Sequence, residues 1–268
     1  MPNLLKIAGF ELVRLLLTRR GLVSIVAFLL VWLLIFRYAI WPASAFLRSN
    51  DGDEILGWVL GKLDAGSLTT WAVPELGVYW YFALWLLPLY TLAVTADQTA
   101  SDRARGTLRF LHLRATRAEI FFGRFLGQLL ILFLFIVFTL VSTLAVAIYR
   151  DASILPLGLQ HCAQILPQLM LVLLPFTALM SLMSILSKSA RQAIIYAIIA
   201  WVVLRLLVSV ITRYVPAATD LAWILPGSQL SELKSIGLLD QPVIVMVPVL
   251  QTLFFLAAGW LVARRINL

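Results

Sequence analysis

Cysteine is almost absent: Cys162 stands alone in 268 residues, so the chain cannot close a disulfide on itself. Histidine is nearly as scarce, and His112 and His161 are too few for a Cys/His metal cluster. Charged residues make up 13%, against roughly 25% in soluble domains. That charge leans positive, with 21 Lys and Arg against 13 Asp and Glu. The sequences that carry chemistry are missing too. The nearest approach to a phosphate-cradling G-x-x-x-x-G-K-[ST] loop is Gly57-Trp-Val-Leu-Gly61-Lys62-Leu63, one residue short and ending in Leu. There is no H-E-x-x-H zinc helix and no G-x-S-x-G nucleophile elbow. The reading is therefore a chain with no catalytic residue, no metal site and no cofactor of its own.

Apolar length is what the chain has in excess. Apolar residues reach 62%, against roughly 45–50% in ordinary domains, which is more than a soluble core absorbs. The runs are long and unbroken, unlike the short alternating segments of a lipid-facing barrel. The expected fold class is an all-α integral membrane protein. A helix needs about 20 apolar residues to cross the hydrocarbon core. Six stretches qualify: 22–40, 76–96, 125–149, 162–187, 192–212 and 242–263. No repeat, low-complexity tract or soluble domain interrupts them, so residues 1–268 read as a single transmembrane domain. No carboxylate lies in the middle of a span, which removes the usual intramembrane proton relay.

Residues 3–18 read as an amphipathic helix lying in the interface. Leu4, Leu5, Ala8, Leu12, Leu15 and Leu16 share one face, while Asn3, Lys6, Glu11, Arg14 and Thr18 fall largely on the other. With scattered basic residues and no small-residue cleavage site, the segment does not read as a signal peptide. Orientation follows from Lys and Arg. One side carries Lys6, Arg14, Arg19, Arg20, Arg103, Arg105, Arg109, Arg114, Arg117, Arg124, Lys188, Arg191, Arg264 and Arg265. The other carries Arg48, Lys62, Arg150, Arg213 and Lys234. Both termini are expected in the cytoplasm. The last external loop, 216–241, contains Leu221-Ala-Trp-Ile-Leu225 before Pro226-Gly227, which reads as short re-entrant or interfacial helices. Trp41, Trp58, Trp71, Trp80, Trp223 and Trp260 fall near span ends or the external surface, where an aromatic belt is the plain reading.

The loop between the second and third spans is the most informative segment. Its arginines are interleaved with Leu108, Phe110, Leu111 and Leu113. An anchoring loop needs no apolar residues, whereas a helix pressed against a partner does. Gly106 marks a break before a helix start at Thr107. Further on, Gly123-x-x-x-Gly127 reads as close packing against the interfacial helix in preference to a dimer seam.

This segment resembles the permease subunits of type-2 ATP-binding-cassette exporters. Their loop runs from an acidic stretch through G-T-L and a P-x-S-R-like turn to G-K-F-L-G at the third span. Gly106-Thr107-Leu108, Thr116-Arg117 and Gly123-Arg124-Phe125-Leu126-Gly127 stand at those places. The chain departs from the pattern in carrying Arg103 and Arg105 where many members have Glu, and Arg114 for the proline of the turn. A loop this basic points to an acidic cleft on its partner. The resemblance implies a coupling helix that fits a cytoplasmic ATPase, formed by Asp102, Arg103, Arg105, Gly106, Thr107, Leu108, Arg109, Leu111 and Arg117. Lys188 and Arg191 would make a second cytoplasmic contact.

The expected function is the transmembrane subunit of an ATP-driven exporter in the bacterial inner membrane. ATP and magnesium would be used by the partner ATPase. A second permease copy or paralogue would complete the path, and nucleic acid is not an expected partner. Two other readings stay open. One passes ATP-driven motion to a periplasmic accessory protein without a transported substrate, and the other is an ion-coupled secondary carrier. Arg205 is the one charge deep in a span. It either fixes packing through an ion pair or a carbonyl contact, with Glu75 the nearest acid by depth, or lines the path between permeases.

Overall fold

The computed structural model describes residues 3–48, 71–107, 110–111, 113–215, 221, 223–228 and 242–265. Among these residues the fold is all helix, and six helices are long and apolar enough to cross a membrane. In chain order the helices are α1 (Leu4–Leu17), α2 (Arg19–Ile35), α3 (Trp41–Arg48), α4 (Pro74–Val94), α5 (Ala100–Ala104), α6 (Arg117–Arg150), α7 (Leu155–Leu186), α8 (Ala190–Tyr214) and α9 (Pro242–Arg265). The expected re-entrant segment lies mostly outside the described residues. Its described part turns at Gly227, whose φ of 89° favours glycine. The Gln251 amide of α9 holds that part by donating to the Trp223 and Leu225 carbonyls at 2.6 and 3.1 Å.

Local chemistry explains where the helices start and bend. The chain reverses between α1 and α2 at Thr18, whose side chain accepts from the Gly21 N–H at 3.1 Å. A Cβ at Gly21 would sit 2.0 Å from the Leu15 carbonyl oxygen, so only glycine fits that reversal. The first span continues through a π turn, Phe36–Ile40, into α3, and the Trp41 N–H donates back to Phe36. Pro42 has no N–H to keep the α ladder in register, which accounts for the shift. α6 begins at Arg117, eight residues before the apolar run at 125, because Thr116 and Glu119 form a reciprocal capping box. At 34 residues α6 is about 51 Å long, so its first turns stand outside a core of roughly 30 Å. α7 likewise starts at Leu155, ahead of the expected 162.

The interior is built by α4, α6 and α7, with Tyr79, Leu84, Ile136 and Leu169 fully buried. The Tyr79 and Thr139 hydroxyls meet at 3.0 Å, so the polar tip of that tyrosine is satisfied inside the core. α8 is the contrast: only 6% of its most apolar window is buried.

The N-terminal helix corrects one expectation. Of its expected apolar face, Leu5 and Leu16 are exposed, while Ala8 is buried and Leu12 and Leu15 pack against the core. Glu11, expected on the wet face, is buried beside Ala8 against the first turns of α6. Glycines on α6 decide this. A Cβ at Gly123 would come 3.0 Å from Ile7, and one at Gly127 would come 2.9 Å from the Glu11 Cβ. The Gly123-x-x-x-Gly127 face is where α1 lies down.

Candidate functional site

The loop after α4 is shaped by its own backbone. α5 ends in a Schellman turn: the Gly106 N–H donates to the Arg103 carbonyl at 3.2 Å and the Thr107 N–H to that of Asp102 at 3.0 Å. Gly106 has φ 71°, the left-handed conformation that this cap needs. The Thr107 hydroxyl lies 3.1 Å from both the carbonyl and the carboxylate of Asp102. A further turn follows, with the Phe110 N–H on the Thr107 carbonyl at 3.1 Å and the Arg114 N–H on that of Leu111 at 3.0 Å. Phe110 and Leu113 are exposed here, Leu111 is half-buried, and Leu108 and Arg109 lie outside the described residues.

Beneath the loop sits a buried cluster of charge centred on Arg124. That guanidinium donates to the Gln98 carbonyl and the Asp102 carboxylate, and lies 3.9 Å from Glu11. Arg14 on α1 bridges the same acids, 3.6 Å from Glu11, 3.7 Å from Asp97 and 4.0 Å from Asp102. Burial pushes the Glu11 carboxyl above its ordinary range, and the opposing pull of Arg124 and Arg14 does not cancel it. Burial acts on Asp102 in the same direction, but the Arg124 charge and its hydrogen bond hold that carboxyl below its ordinary range. One arginine thus joins α1, the loop and α6.

Other side chains tie the loop to the remaining helices. The Arg103 guanidinium donates to the Ile185 carbonyl at 2.7 Å, near the end of α7. The Ser184 hydroxyl accepts from the N–H groups of Thr99 and Ala100 at 2.9 and 3.2 Å. The Ser181 hydroxyl donates to the Gln98 side chain at 2.7 Å. Arg117 reaches the Arg264 carbonyl at the end of α9, at 2.8 Å. The short connection to α8 lies beside this end of α7, with Ser189 capping α8 through the Gln192 N–H at 3.3 Å and Lys188 and Arg191 exposed. The structure therefore gathers both loops at one end of the bundle, around the end of α7.

Sequence reasoning missed parts of this site. Glu11 was placed on the wet face of α1 and is buried. Ser184 carried no signal. The capping box did have one, in the T-x-x-E spacing of Thr116 and Glu119. Glu75 is not brought to Arg205: its carboxylate receives two bonds from Arg150, at 2.9 and 3.3 Å, at the far end of α6. Arg205 is exposed on α8, its guanidinium 5.1 Å from the Trp201 ring centre.

No curated protein matches this chain. Residues 5–257 match the family described as "ABC-2 family transporter protein", which spans the six apolar helices almost completely and includes the whole loop and its charge cluster. The chain is a multi-pass membrane protein and belongs to the ABC-2 transporter permease family.

Proposed function

We propose that the chain is the transmembrane half of an exporter, and that a separate ATPase drives it through the loop at 97–117. The observation that carries this reading is the Arg124 cluster. It links a loop bearing exposed Phe110 and Leu113 to α1 and α6 through buried charge. A loop that merely anchored the chain would need neither the exposed apolar pair nor a rigid connection to the spans. Movement imposed on Asp102 would be passed to Arg124, because separating that pair would leave a buried charge uncompensated. In this reading the loop side, with both termini, faces the cytoplasm. Lys188 and Arg191 supply the second contact. The hydrolytic chemistry, with ATP and magnesium, stays with the partner.

A second permease covers α8. Arg205 stands in the middle of a span, exposed on the least buried helix, and a charge at the bilayer centre costs about 2.5–3.5 kcal/mol even by the milder scales. A dimer with a wet path along α8 removes that cost and places Arg205 where an anionic group would pass.

The test is co-purification of the ATPase encoded with the chain, followed by its ATPase activity in vesicles. Phe110→Glu with Leu113→Glu should lower ATPase recovery at least tenfold while leaving insertion and melting unchanged. Normal recovery and activity would make the loop an anchor. ATP-dependent movement of solute in the same vesicles separates an exporter from a purely mechanical subunit.

A further inference from the structure

Two cavities meet beneath the loop. The larger, about 940 Å³, runs between α2, α4 and α6 and is walled by Phe28, Trp32, Leu87 and Tyr90. The smaller, about 590 Å³, lies between α1 and the loop, with Lys6, Arg105 and Arg114 on its rim. Glu11, Arg14, Thr18 and Arg105 line both, so the two spaces adjoin at that level. Each has the size of a small-molecule site, roughly 300–1,000 Å³.

Together the two spaces are polar at one end and greasy at the other. Arg14 and Arg124 already engage the acids Glu11, Asp97 and Asp102. Among the described residues no ion pair holds Lys6, Arg105 or Arg114, so the rim presents three cations that no carboxylate answers. One turn above Arg124, Gln128 also lines the larger cavity. It is more than nine-tenths buried, and its side-chain oxygen has no hydrogen-bond partner. Apart from Ser24, the wall above that level is aromatic and aliphatic up to Trp32. From Thr18 to Trp32 is fourteen residues, about 21 Å of helix, enough for an extended acyl chain.

We propose that this space holds one anionic phospholipid. Its phosphate lies among Lys6, Arg105 and Arg114, its glycerol backbone lies near Gln128, and an acyl chain follows the groove between α2 and α4. A free anion would use the rim and leave the apolar gallery unexplained. A zwitterionic lipid carries an ammonium that offsets its phosphate, and so leaves the net positive charge of the rim unbalanced. Because α1, the loop and α6 all border the site, the lipid is packed against the parts that the Arg124 cluster holds together. The site goes beyond the coupling role and does not rest on it.

The full-length chain, purified in detergent and stripped of lipid, would be offered phosphatidylglycerol or phosphatidylcholine, and retained lipid would be counted by native mass spectrometry. The wild type should keep one phosphatidylglycerol at least tenfold more tightly than phosphatidylcholine. Arg105→Glu with Arg114→Glu should abolish that preference, since each basic residue near an anionic lipid contributes several-fold. Arg105→Lys with Arg114→Lys should retain it and shows that the fold tolerates change there. Ala27→Trp, in the wall of the larger cavity, should cut retention about tenfold with the rim intact. Equal retention of the two lipids by the wild type overturns the proposal. Loss with the Glu pair but not with Ala27→Trp marks a bare anion site and also overturns it. Loss with Ala27→Trp alone marks a groove blind to headgroups, and so does the same.

Discussion

The molecule buries a carboxylate at each end of α6, and the two sites are built differently. At the far end Glu75 is gripped by one arginine through two bonds, and the Arg150 side chain remains 30% exposed. At the loop end Glu11, Asp97 and Asp102 share Arg14 and Arg124, and Arg124 itself is buried. The first arrangement clamps α4 to α6. The second couples three segments that have no covalent reason to move together. In a shared network a displacement of one acid is felt by the others.

Replacing the two arginines in turn tests this contrast. Arg124→Leu should have the largest effect, because it leaves Glu11 and Asp102 beside a low-dielectric core without their main counter-charge. A loss of about 3–5 kcal/mol is expected, read as a fall in the denaturant midpoint, with α1 becoming open to protease. Arg150→Leu should cost less, about 2 kcal/mol, because the partly wetted edge lets water reach part of the Glu75 site. Equal losses would remove the distinction between clamp and network.

Gly127→Leu comes next in size. Its side chain would meet the Glu11 Cβ and the Ala8 carbonyl, so α1 must lift from α6 at a cost of about 1–3 kcal/mol. Gly9, on the same helix, has nothing within 4 Å of a Cβ, and Gly9→Ala should instead stabilise by about 0.5–1 kcal/mol. Melting of both variants checks the seam.

The smallest effect belongs to pH. Between its ordinary value and its raised folded value, Glu11 binds more protons folded than unfolded, so its contribution to stability falls as pH rises through that window. Asp102 runs the other way: its contribution is present above its ordinary value and is lost as pH falls through its lowered folded value. Glu11→Gln should therefore remove the decline in stability that sets in above pH 4.5. Asp102→Asn should destabilise at neutral pH and flatten the loss in acid. Melting curves from about pH 2 to about pH 8 distinguish the two.

Much of this was legible in the chain. Apolar runs of twenty or so residues permit only spanning helices, since a backbone in lipid must satisfy its own hydrogen bonds. Gly106 announced a break in the backbone before Thr107, which the structure shows as the left-handed cap that ends α5. Gly123 and Gly127, four apart, announced close approach, and their position at the entry to the third span pointed to the interfacial helix as the neighbour. Helix starts were less legible at α6 and α7, whose ends are set by caps and prolines outside the apolar runs.

The sequence by itself determined the solvent, the spans and the loop, because these depend on composition and on neighbours a few residues apart. Only the tertiary structure decided the pairing of charge. Periodicity put Glu11 on the wet side of α1, and depth made Glu75 a candidate for Arg205. Glu11 instead turns inward to Arg124, 113 positions along the chain, and Glu75 meets Arg150. An ion pair forms where packing brings two helices to one level and excludes water. That condition is a property of the assembled bundle and of no single helix.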